Sequence, residues 1–328
     1  MTVLITGGAG YIGSHMALRL CDAGEKVVVL DNLTTGFDWA VDHRAILVNG
    51  NAGDQELVGG LIAKHQITEI VHFAGSIVVP ESVSNPLKYY ANNTATSRNL
   101  IEAAVNGGVK HIVFSSTAAV YGMTGLEPVA EDTPLNPMSP YGRSKLMTEW
   151  MLTDVAAAHP LTYGVLRYFN VAGADPHKRS GQSSPTATHL IKVACQAALG
   201  QRASIEIFGT DYPTPDGTGV RDYIHVSDLV EAHALLLTYL RNGGASTTLN
   251  CGYGQGYSVR QVVDVVRKVS GVDFEAKESP RRPGDPPAIV AGAQKVRKLL
   301  GWQPAHDDLE DIVTSAYAWE QHLRTRNR

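Results

Sequence analysis

The stretch TVLITGGAGYIG, residues 2–13, decides the fold of this chain. A β-branched run, Thr2–Thr6, leads directly into glycines with Gly-x-x-Gly-x-x-Gly spacing at Gly7, Gly10 and Gly13, and an amphipathic stretch follows. Glycine permits a tight turn and a close approach of the backbone to a ligand, and the N-terminus of a helix offers free N–H groups to phosphate. The stretch therefore predicts the strand, turn and helix that open a dinucleotide-binding sheet. Glycines that serve packing alone remain the alternative.

Beyond this stretch, short β-branched runs alternate with longer amphipathic stretches over the first 170 residues. Strands separated by helices of this length form βαβ units, and hence a parallel sheet covered by helices on both faces. After residue 170 the alternation gives way to loop-like stretches rich in Gly, Pro, Ser and Asp, with helices between them. The predicted strands are 2–6, 26–30, 45–48, 69–73, 111–115 and 162–166, and the predicted helices are 11–23, 55–65, 87–106, 141–158, 187–199, 226–240, 259–270 and 309–323.

This organisation predicts an α/β protein with two domains. A Rossmann-type doubly wound parallel sheet is expected in residues 1–170, with part of 219–250 as a candidate for its completion. A second, smaller mixed α/β substrate domain is expected in residues 171–328, and it could exchange a strand or a helix with the first. The length of 328 residues suits such a pair of domains.

Charge and composition exclude several classes of protein. The 28 basic residues against 32 acidic ones give a net charge of −4, which leaves no basic excess to neutralise a nucleic-acid backbone. Cys21, Cys195 and Cys251 lack CxxC spacing, which argues against a zinc site or a disulfide framework and for a reducing compartment. No leader-like segment precedes the first strand, and no run of about 18 apolar residues occurs. We therefore expect a cytoplasmic protein without metal, nucleic acid or membrane as partner.

A carboxylate stands where the second predicted strand ends. Asp31 lies 18 residues after Gly13, the place from which a carboxylate accepts hydrogen bonds from the adenosine ribose hydroxyls. The residues after it, Asn32-Leu-Thr-Thr-Gly36, contain no arginine that could hold a 2′-phosphate. The cofactor predicted from these residues is therefore NAD rather than NADP.

A second motif, Tyr141-Gly-Arg-Ser-Lys145, begins a predicted helix after Pro140. Residues four apart share one face of a helix, and a cation beside a phenol lowers its pKa. Lys145 and a positively charged nicotinamide are therefore expected to bring Tyr141 into range as a base. A packed tyrosine with a surface lysine is the plainer alternative.

A third stretch, FSSTAAVYG at residues 114–122, lies at the carboxyl end of the fifth predicted strand. In it Thr117 is the better candidate to touch substrate, whereas Ser115 could instead satisfy its own turn.

These motifs, together with Arg167-Tyr-Phe-Asn170 and residues 219–225 (GVRDYIH), resemble the extended short-chain dehydrogenase/reductases. Within that family the resemblance is closest to the UDP-glucose 4-epimerases, and it runs from Val3 to about Trp319. It implies reversible C4 epimerisation of UDP-glucose and UDP-galactose through a transient 4-keto sugar, with NADH held on the enzyme. It also implies a homodimer.

The resemblance carries roles to matching positions of this sequence. It makes Tyr141 the base, Lys145 its pKa-lowering partner, and Thr117 the hydroxyl that relatives often supply as serine. Arg221 and Arg282 suit a diphosphate. The implied cofactor-binding residues are Gly7, Gly10, Tyr11, Ile12, Gly13, Asp31, Asn32, Asn51, Ala52, Phe73, Ala74, Gly75, Asn92, Ser115, Tyr141, Lys145 and Tyr168. The implied substrate-binding residues are Thr117, Tyr141, Asn170, His189, Leu190, Ile207, Phe208, Arg221, Tyr223, Arg282, Asp285 and Ile289.

Three positions depart from the family pattern or vary within it. Ile77 stands where many relatives have a lysine that reaches the nicotinamide ribose, and Asn51 where an aspartate often meets the adenine amino group. Ile77 forfeits a charge-assisted hydrogen bond, so we expect NAD to be held less tightly than in typical members. Ile289 falls at a position where tyrosine tends to exclude N-acetylated sugars and a small residue tends to admit them.

Two other functions are compatible with the same fold. A nucleotide-sugar 4,6-dehydratase would need an Asp-Glu pair directly after the hydroxyl residue, and this chain has Ala118-Ala119 there. Alanine moves no protons, which argues against a dehydratase. A dinucleotide-binding redox sensor without catalysis would be expected to lose Tyr141 or Lys145, and both are present.

Overall fold

The structure is a computed structural model that describes residues 1–184, 188–282 and 284–326. The strands in these residues are β1 (Thr2–Thr6), β2 (Lys26–Asp31), β3 (Ile46–Asn49), β4 (Ile67–His72), β5 (His111–Ser115), β6 (Thr162–Tyr168), β7 (Asn170–Ala172), β8 (Ser204–Phe208), β9 (Val220–His225), β10 (Thr247–Cys251), β11 (Gly256–Ser258), β12 (Glu275–Ser279) and β13 (Ala288–Ile289). The helices are α1 (Tyr11–Asp22), α2 (Gln55–His65), α3 (Val79–Ser84), α4 (Pro86–Tyr89), α5 (Thr96–Asn106), α6 (Pro140–Ala158), α7 (Leu190–Ala198), α8 (Val226–Arg241), α9 (Val259–Ser270), α10 (Gln294–Leu300) and α11 (Leu309–Arg326).

Seven of the strands form one twisted sheet in the order β10-β6-β5-β4-β1-β2-β3. The pairings β6–β5, β5–β4, β4–β1, β1–β2 and β2–β3 are all parallel. The middle strands are apolar along almost their whole length and buried, as strands covered on both faces must be. The predicted Rossmann-type parallel sheet is confirmed, and its six predicted strands lie within two residues of the observed ones.

The predicted helix over 87–106 is wrong as a single helix. The chain forms the short α4, a π-helical turn at Tyr90–Ala95, and then α5. Within this turn the side-chain oxygen of Asn93 accepts the N–H of Ser76 at 2.7 Å, and its amide nitrogen donates to the Ser76 carbonyl at 3.0 Å. Asn92 donates to the Ser76 hydroxyl at 2.8 Å. A π-turn adds one residue to the helical repeat, and here it turns both asparagines towards Ser76.

The other predicted helices are close to those observed. Residues 55–65 and 259–270 match α2 and α9, and 226–240 and 309–323 match α8 and α11 except at their C-terminal ends. The helix predicted over 187–199 is observed as α7, Leu190–Ala198, and its first predicted residue, Ala187, lies outside the described residues. None of the helices in the described part of the chain is long and apolar enough to cross a membrane.

The chain divides into two compact units, and it passes between them several times. Arg241, at the end of α8, connects the segment Val230–Leu249 to the N-terminal residues of the same unit. It donates to Glu69 at 2.6 and 2.7 Å and to Glu25 at 2.6 Å. Unit 1 comprises Met1–Val120, Leu135–Arg167 and Val230–Leu249, and unit 2 comprises Tyr121–Pro134, Tyr168–Leu229 and Asn250–Arg328.

Unit 2 is built around β9. This strand pairs in parallel with β7 and β13 and antiparallel with β11, while β8 and β12 form a separate parallel pair. The registers place Asn170 opposite Tyr223 and Ile289 opposite Arg221. Several candidate substrate residues are therefore fixed by one short strand at the centre of unit 2.

Candidate active site

The glycine turn after β1 leaves no room for side chains. Gly7 has φ +72°, and a Cβ on it would lie 2.6 Å from the backbone nitrogen of Ala74. A Cβ on Gly13 would lie 2.2 Å from the carbonyl oxygen of Gly7. Gly10 precedes α1 and offers no capping side chain, and the first turn of α1 carries no acidic residue. The N–H groups of this helix start therefore fit a pyrophosphate, which binds where backbone donors and the helix dipole point outward.

Asp31 is a fixed, buried carboxylate at the end of β2. Its two oxygens accept the backbone N–H groups of Ala9 at 2.9 Å and Leu33 at 2.8 Å. Each carboxylate oxygen has a second lone pair, so Asp31 can still accept from ribose hydroxyls. Asn51, predicted to meet adenine, is exposed, and its side-chain oxygen accepts the N–H of Gly53 at 2.8 Å.

The loop after β4 comes close to the predicted catalytic lysine. The N–H groups of Phe73 and Ala74 both donate to the Thr6 carbonyl, at 3.0 and 3.1 Å. A Cβ on Gly75 would lie 3.7 Å from Nζ of Lys145 and 3.1 Å from the side-chain oxygen of Asn93. The structure thus brings the predicted cofactor loop and Lys145 together within unit 1. The other predicted cofactor residues of this unit, Tyr11, Ile12, Asn32, Ala52 and Asn92, lie on α1 or on the segments after β2, β3 and α4, whereas Tyr168 lies in unit 2.

The predicted catalytic residues meet where α6 passes the carboxyl end of β5. The helix starts at Pro140, and the Ser139 hydroxyl caps it by accepting the N–H of Gly142 at 3.2 Å. Lys145 donates from Nζ to the Ser115 carbonyl at 3.0 Å, and the Thr117 hydroxyl oxygen accepts the N–H of Ala119 at 3.1 Å. The contact between Lys145 and Ser115 thereby fixes the position of α6 along the carboxyl end of β5.

Burial dominates the electrostatics of this cluster. It raises the pKa of Tyr141, and a hydrogen bond from the Thr117 hydroxyl opposes the rise. This direction is opposite to the one expected from Lys145 alone, because a phenolate in a dry site loses its hydration. Burial also lowers the pKa of Lys145 to about 8, and the charge of Glu149 opposes that change.

The candidate substrate residues of unit 2 form two groups. The first surrounds a cavity of ≈ 20 Å³ and includes Asn170, His189, Leu190 and Tyr223. Nδ1 of His189 is hydrogen-bonded to Nε2 of Gln182 at 2.6 Å. This volume suits about one water molecule, so it marks a contact point rather than a whole sugar site.

The second group of unit 2 holds the charged residues. Arg221 donates to Asp285 at 2.5 Å, and the guanidinium of Arg282 lies 3.7 Å from the centre of the Phe208 ring. Ile207 is buried beside Phe208 on β8. Ile289, on β13, is buried as well. Two arginines with a carboxylate and an aromatic ring can bind a nucleoside diphosphate through charge, ribose hydrogen bonds and base contact.

The structure also shows two buried ion pairs that were not singled out by sequence reasoning. Arg167 is bidentate to Glu149 with contacts of 2.6 to 3.2 Å, and Lys192 donates to Glu320 at 2.6 Å beside the unit 2 cavity. Glu149 follows Lys145 by four residues and Arg167 interrupts an apolar strand, which are signals that the sequence offered. Nothing in the sequence pairs Lys192 with Glu320, because 128 residues separate them.

The sequence and the fold are both similar to those of known epimerases. The sequence profile of the NAD dependent epimerase/dehydratase family matches residues 3–252. A UDP-glucose 4-epimerase of Azospirillum brasilense is 57% identical over 98% of this chain and 92% of its own length. The crystal structure of UDP-glucose 4-epimerase from Brucella ovis in complex with NAD is 40% identical over 97% of both chains, with a TM-score of 0.94. The UDP-Glc/GlcNAc 4-epimerase of Campylobacter jejuni is 46% identical over 98% of this chain and 99% of its own, with a TM-score of 0.86.

Proposed function

This chain belongs to the NAD dependent epimerase/dehydratase family, and on that basis we propose that it interconverts UDP-glucose and UDP-galactose by epimerisation at C4. The observation that carries the proposal is the buried cluster of Tyr141, Lys145 and Thr117 beside a glycine turn that fits a dinucleotide. The cofactor is NAD, because a carboxylate, Asp31, occupies the position that faces the adenosine ribose.

In the proposed reaction Tyr141 is the proton acceptor. Its phenolate, which the positive charges of Lys145 and of a bound nicotinamide would favour against the effect of burial, takes the proton of the 4-hydroxyl group. The Thr117 hydroxyl donates a hydrogen bond to the same phenolic oxygen. NAD supplies reversible acceptance of a hydride from C4 of the sugar. Removal of a proton from O4 and a hydride from C4 leaves a 4-keto sugar. Return of the hydride to the opposite face of C4 and of the proton to O4 completes an epimerisation without net oxidation.

Lys145 provides the charge that this proton transfer requires. Its ammonium is held by the Ser115 carbonyl at 3.0 Å and lies 4.9 Å from the centre of the Phe114 ring. A cation fixed in a buried site stabilises the developing phenolate far more than one in water would. The proposed cofactor contacts also involve Lys145, together with the glycine turn, Asp31 and the loop Phe73–Gly75.

Unit 2 provides the proposed nucleotide anchors. Arg221 and Arg282 are proposed to bind the diphosphate, Asp285 the uridine ribose, and Phe208 the base. Asn170, Leu190 and Tyr223 are proposed to bind near the sugar–phosphate linkage. A firmly held nucleotide leaves the sugar free to turn over between the two hydride transfers, and polar anchors concentrated on the nucleotide half suit that requirement.

The two alternative functions are less compatible with the site. Ala118 and Ala119 follow Thr117 in a short 3₁₀ turn, where a dehydratase needs an acid and a base. A redox sensor without catalysis does not require a buried lysine one helical turn after a buried tyrosine, and both Lys145 and Tyr141 are buried. Both observations favour the epimerase.

We also propose that the protein is a cytoplasmic homodimer. Leu87 on α4 and Trp150 on α6 are 77% and 57% exposed, and these two helices contact each other within unit 1. Two large apolar side chains on neighbouring helices suit pairing with the same helices of a second copy. Light scattering of the purified protein tests this: Trp150→Arg should shift the mass from dimer to monomer, and a monomeric wild type would contradict it.

The reaction is tested with purified protein and UDP-galactose in an assay coupled to UDP-glucose dehydrogenase. We expect UDP-glucose to form from UDP-galactose, and UDP-galactose from UDP-glucose, with no net consumption of NAD by the epimerase itself. A 4-keto-6-deoxy product would instead identify a dehydratase. Absence of both products with added NAD would contradict the proposed function.

A further inference from the structure

Ser116 connects the catalytic strand end to a buried charge. Its hydroxyl donates to the carboxylate of Glu149, and its backbone N–H donates to the Leu166 carbonyl at 2.9 Å. The same carboxylate accepts Nε and Nη2 of Arg167, with the shortest contact at 2.6 Å. The side chains of Glu149 and Arg167 are each 6% exposed. A buried carboxylate that holds a serine and an arginine together is a rigid structure, because every partner is bonded.

This connection completes a series of contacts between α6 and the end of β5. Tyr141, Lys145 and Glu149 are spaced by four residues and share one face of α6. Tyr141 is hydrogen-bonded to Thr117, Lys145 to the Ser115 carbonyl, and Glu149 to Ser116. Three successive turns of one helix therefore hold three successive residues of the strand end. The contact between Glu149 and Ser116 involves no reacting group. It nevertheless fixes Ser116, which lies between Ser115 and Thr117, the residues that contact Lys145 and Tyr141.

Resting on the proposed epimerase function, we propose that Glu149, held in place by Arg167, is a positioning residue for proton transfer: it fixes the strand end that carries Thr117 and provides the counter-charge of Lys145. Glu149 touches neither substrate nor cofactor in this role. Its hydrogen bond with Ser116 fixes the position of the strand end, and its negative charge stabilises the ammonium of Lys145 through space.

The charged and titratable groups around Lys145 support the second part of this role. His72 on β4 is neutral, because burial and the charge of Lys145 lower its pKa to about 3. Tyr141 and Tyr89 are neutral phenols at rest, since burial raises the pKa of each. Arg167 on β6 is a cation, and its charge is matched by Glu149. Among these groups, all in the described part of the chain, Glu149 carries the negative charge, and it opposes the fall in the pKa of Lys145 that burial causes.

Glu149→Gln tests the proposal, with Glu69→Gln as the matched control. Glu69 is also a fully buried carboxylate of unit 1 with a bidentate arginine, Arg241, but it lies near the start of β4 rather than at the carboxyl ends of the strands. With saturating NAD, we expect Glu149→Gln to lower kcat by ~10-fold while KM stays within about 3-fold. The alkaline limb of the kcat profile should move to lower pH by about one unit, because Lys145 then loses its proton more easily.

Loss of the Glu149 carboxylate leaves Arg167 buried without its charged partner, and loss of the Glu69 carboxylate leaves Arg241 with Glu25 alone. Both single variants are therefore expected to unfold at lower temperature. The double variant Glu149→Gln/Arg167→Met removes both charges. It should recover most of the thermal stability while kcat stays below that of wild type and the alkaline limb stays at lower pH, since the introduced amide can still accept the Ser116 hydroxyl but the counter-charge of Lys145 does not return. Glu149→Asp, which keeps the charge, should retain the wild-type alkaline limb even where kcat is lower.

A readout in the resting protein separates the charge effect from turnover. The ¹⁵N resonance of Lys145 Nζ, assigned by its absence in Lys145→Met, should titrate about one pH unit lower in Glu149→Gln than in wild type or Glu69→Gln. An unchanged Lys145 titration and kcat profile in a folded Glu149→Gln variant would overturn the proposal. Wild-type protein without epimerase activity would instead overturn the proposed function, and the two failures are therefore distinguishable.

Discussion

The proposed catalytic cluster of unit 1 and the proposed nucleotide anchors of unit 2 differ in how far their side chains are exposed to solvent. Tyr141, Lys145 and Thr117 are 3–8% exposed, and each is bonded to a neighbour or to the backbone. Arg221 and Asp285, by contrast, have side chains that are 12% and 35% exposed and are paired with each other. Proton transfer needs fixed, desolvated groups, whereas an ionic ligand must exchange with water at a site that stays wet. On the proposed function, we therefore expect the rate of the reaction to depend on the first region and the affinity for the nucleotide sugar on the second.

The largest effect that would sharpen this comparison is on kcat. Tyr141→Phe keeps the packed ring but removes the proton acceptor, so kcat should fall by about 10²-fold or more while UDP-glucose affinity stays nearly unchanged. Steady-state kinetics and calorimetric binding measure the two quantities. Tyr163→Phe, which removes a phenol bonded to Thr153 elsewhere in unit 1, serves as the control and should leave kcat intact. Near-native turnover in Tyr141→Phe would remove Tyr141 as the base.

The next effect belongs to the anchor group. Arg221→Met should raise KM for UDP-glucose by ~10–100-fold, because a charge-assisted contact to phosphate is worth ~1.5–3 kcal/mol, and kcat should change little. Arg281→Met is the matched control: this arginine also pairs with an aspartate, Asp211, but their side chains are 45% and 74% exposed. Its KM should stay within about 2-fold of wild type. Equal effects of the two substitutions would contradict the assignment of Arg221.

A smaller effect concerns the wall of the sugar site. Ile289 is buried on β13 opposite Arg221, and isoleucine is stiff at χ1, so an N-acetyl group is expected to force local repacking. Overpacking costs ~1–3 kcal/mol, which predicts that UDP-N-acetylglucosamine turns over ~10–100-fold less efficiently than UDP-glucose. Ile289→Gly should narrow this ratio by about 10-fold and Ile289→Tyr should widen it. An N-acetyl activity that responds to neither substitution would exclude Ile289 as the selective residue.

The smallest expected effect is on cofactor retention. Ile77 is 52% exposed and offers no charge at the position where the family resemblance implies a lysine. Dialysed, diluted wild-type protein should therefore gain activity several-fold when NAD is added, and Ile77→Lys should need less NAD for the same activity. Asp31→Ala in parallel should reduce the preference for NAD over NADP. Full activity of dialysed wild type without added NAD would contradict weak retention.

Local patterns made much of unit 1 predictable. Strand His111–Ser115 and helix Gln55–His65 agree with their predicted bounds, because a continuous apolar run and a 3.6-residue period both lie within a few neighbouring residues. The spacing of Tyr141 and Lys145 likewise predicted one helical face. The break in the helix predicted over 87–106 depends instead on contacts from Asn93 to Ser76, 17 residues away, and no local period records such a contact.

Unit 2 was less predictable because its strands are short and pair over long distances in sequence. The two-residue strand Ala288–Ile289 pairs with Val220–Arg221, and Arg221 meets Asp285 across 64 residues. Such pairings are stabilised by tertiary contacts rather than by propensity. The buried pair of Glu149 and Arg167 shows the same limit: each residue was visible as a charge in an apolar context, but their contact was not.

The return of α8 and β10 to unit 1 has a consequence for synthesis on the ribosome. The first 167 residues emerge with β6 as an unpaired sheet edge, since its neighbour β10 begins only at Thr247. At ~5–20 residues per second, the nascent chain carries this open edge for roughly 4–16 s before its partner strand exists. An apolar, unpaired edge strand is a template for wrong pairing with other chains. Unit 1 therefore completes late in translation, and the free edge of β6 stays without its partner until the strand that begins at Thr247 has left the exit tunnel.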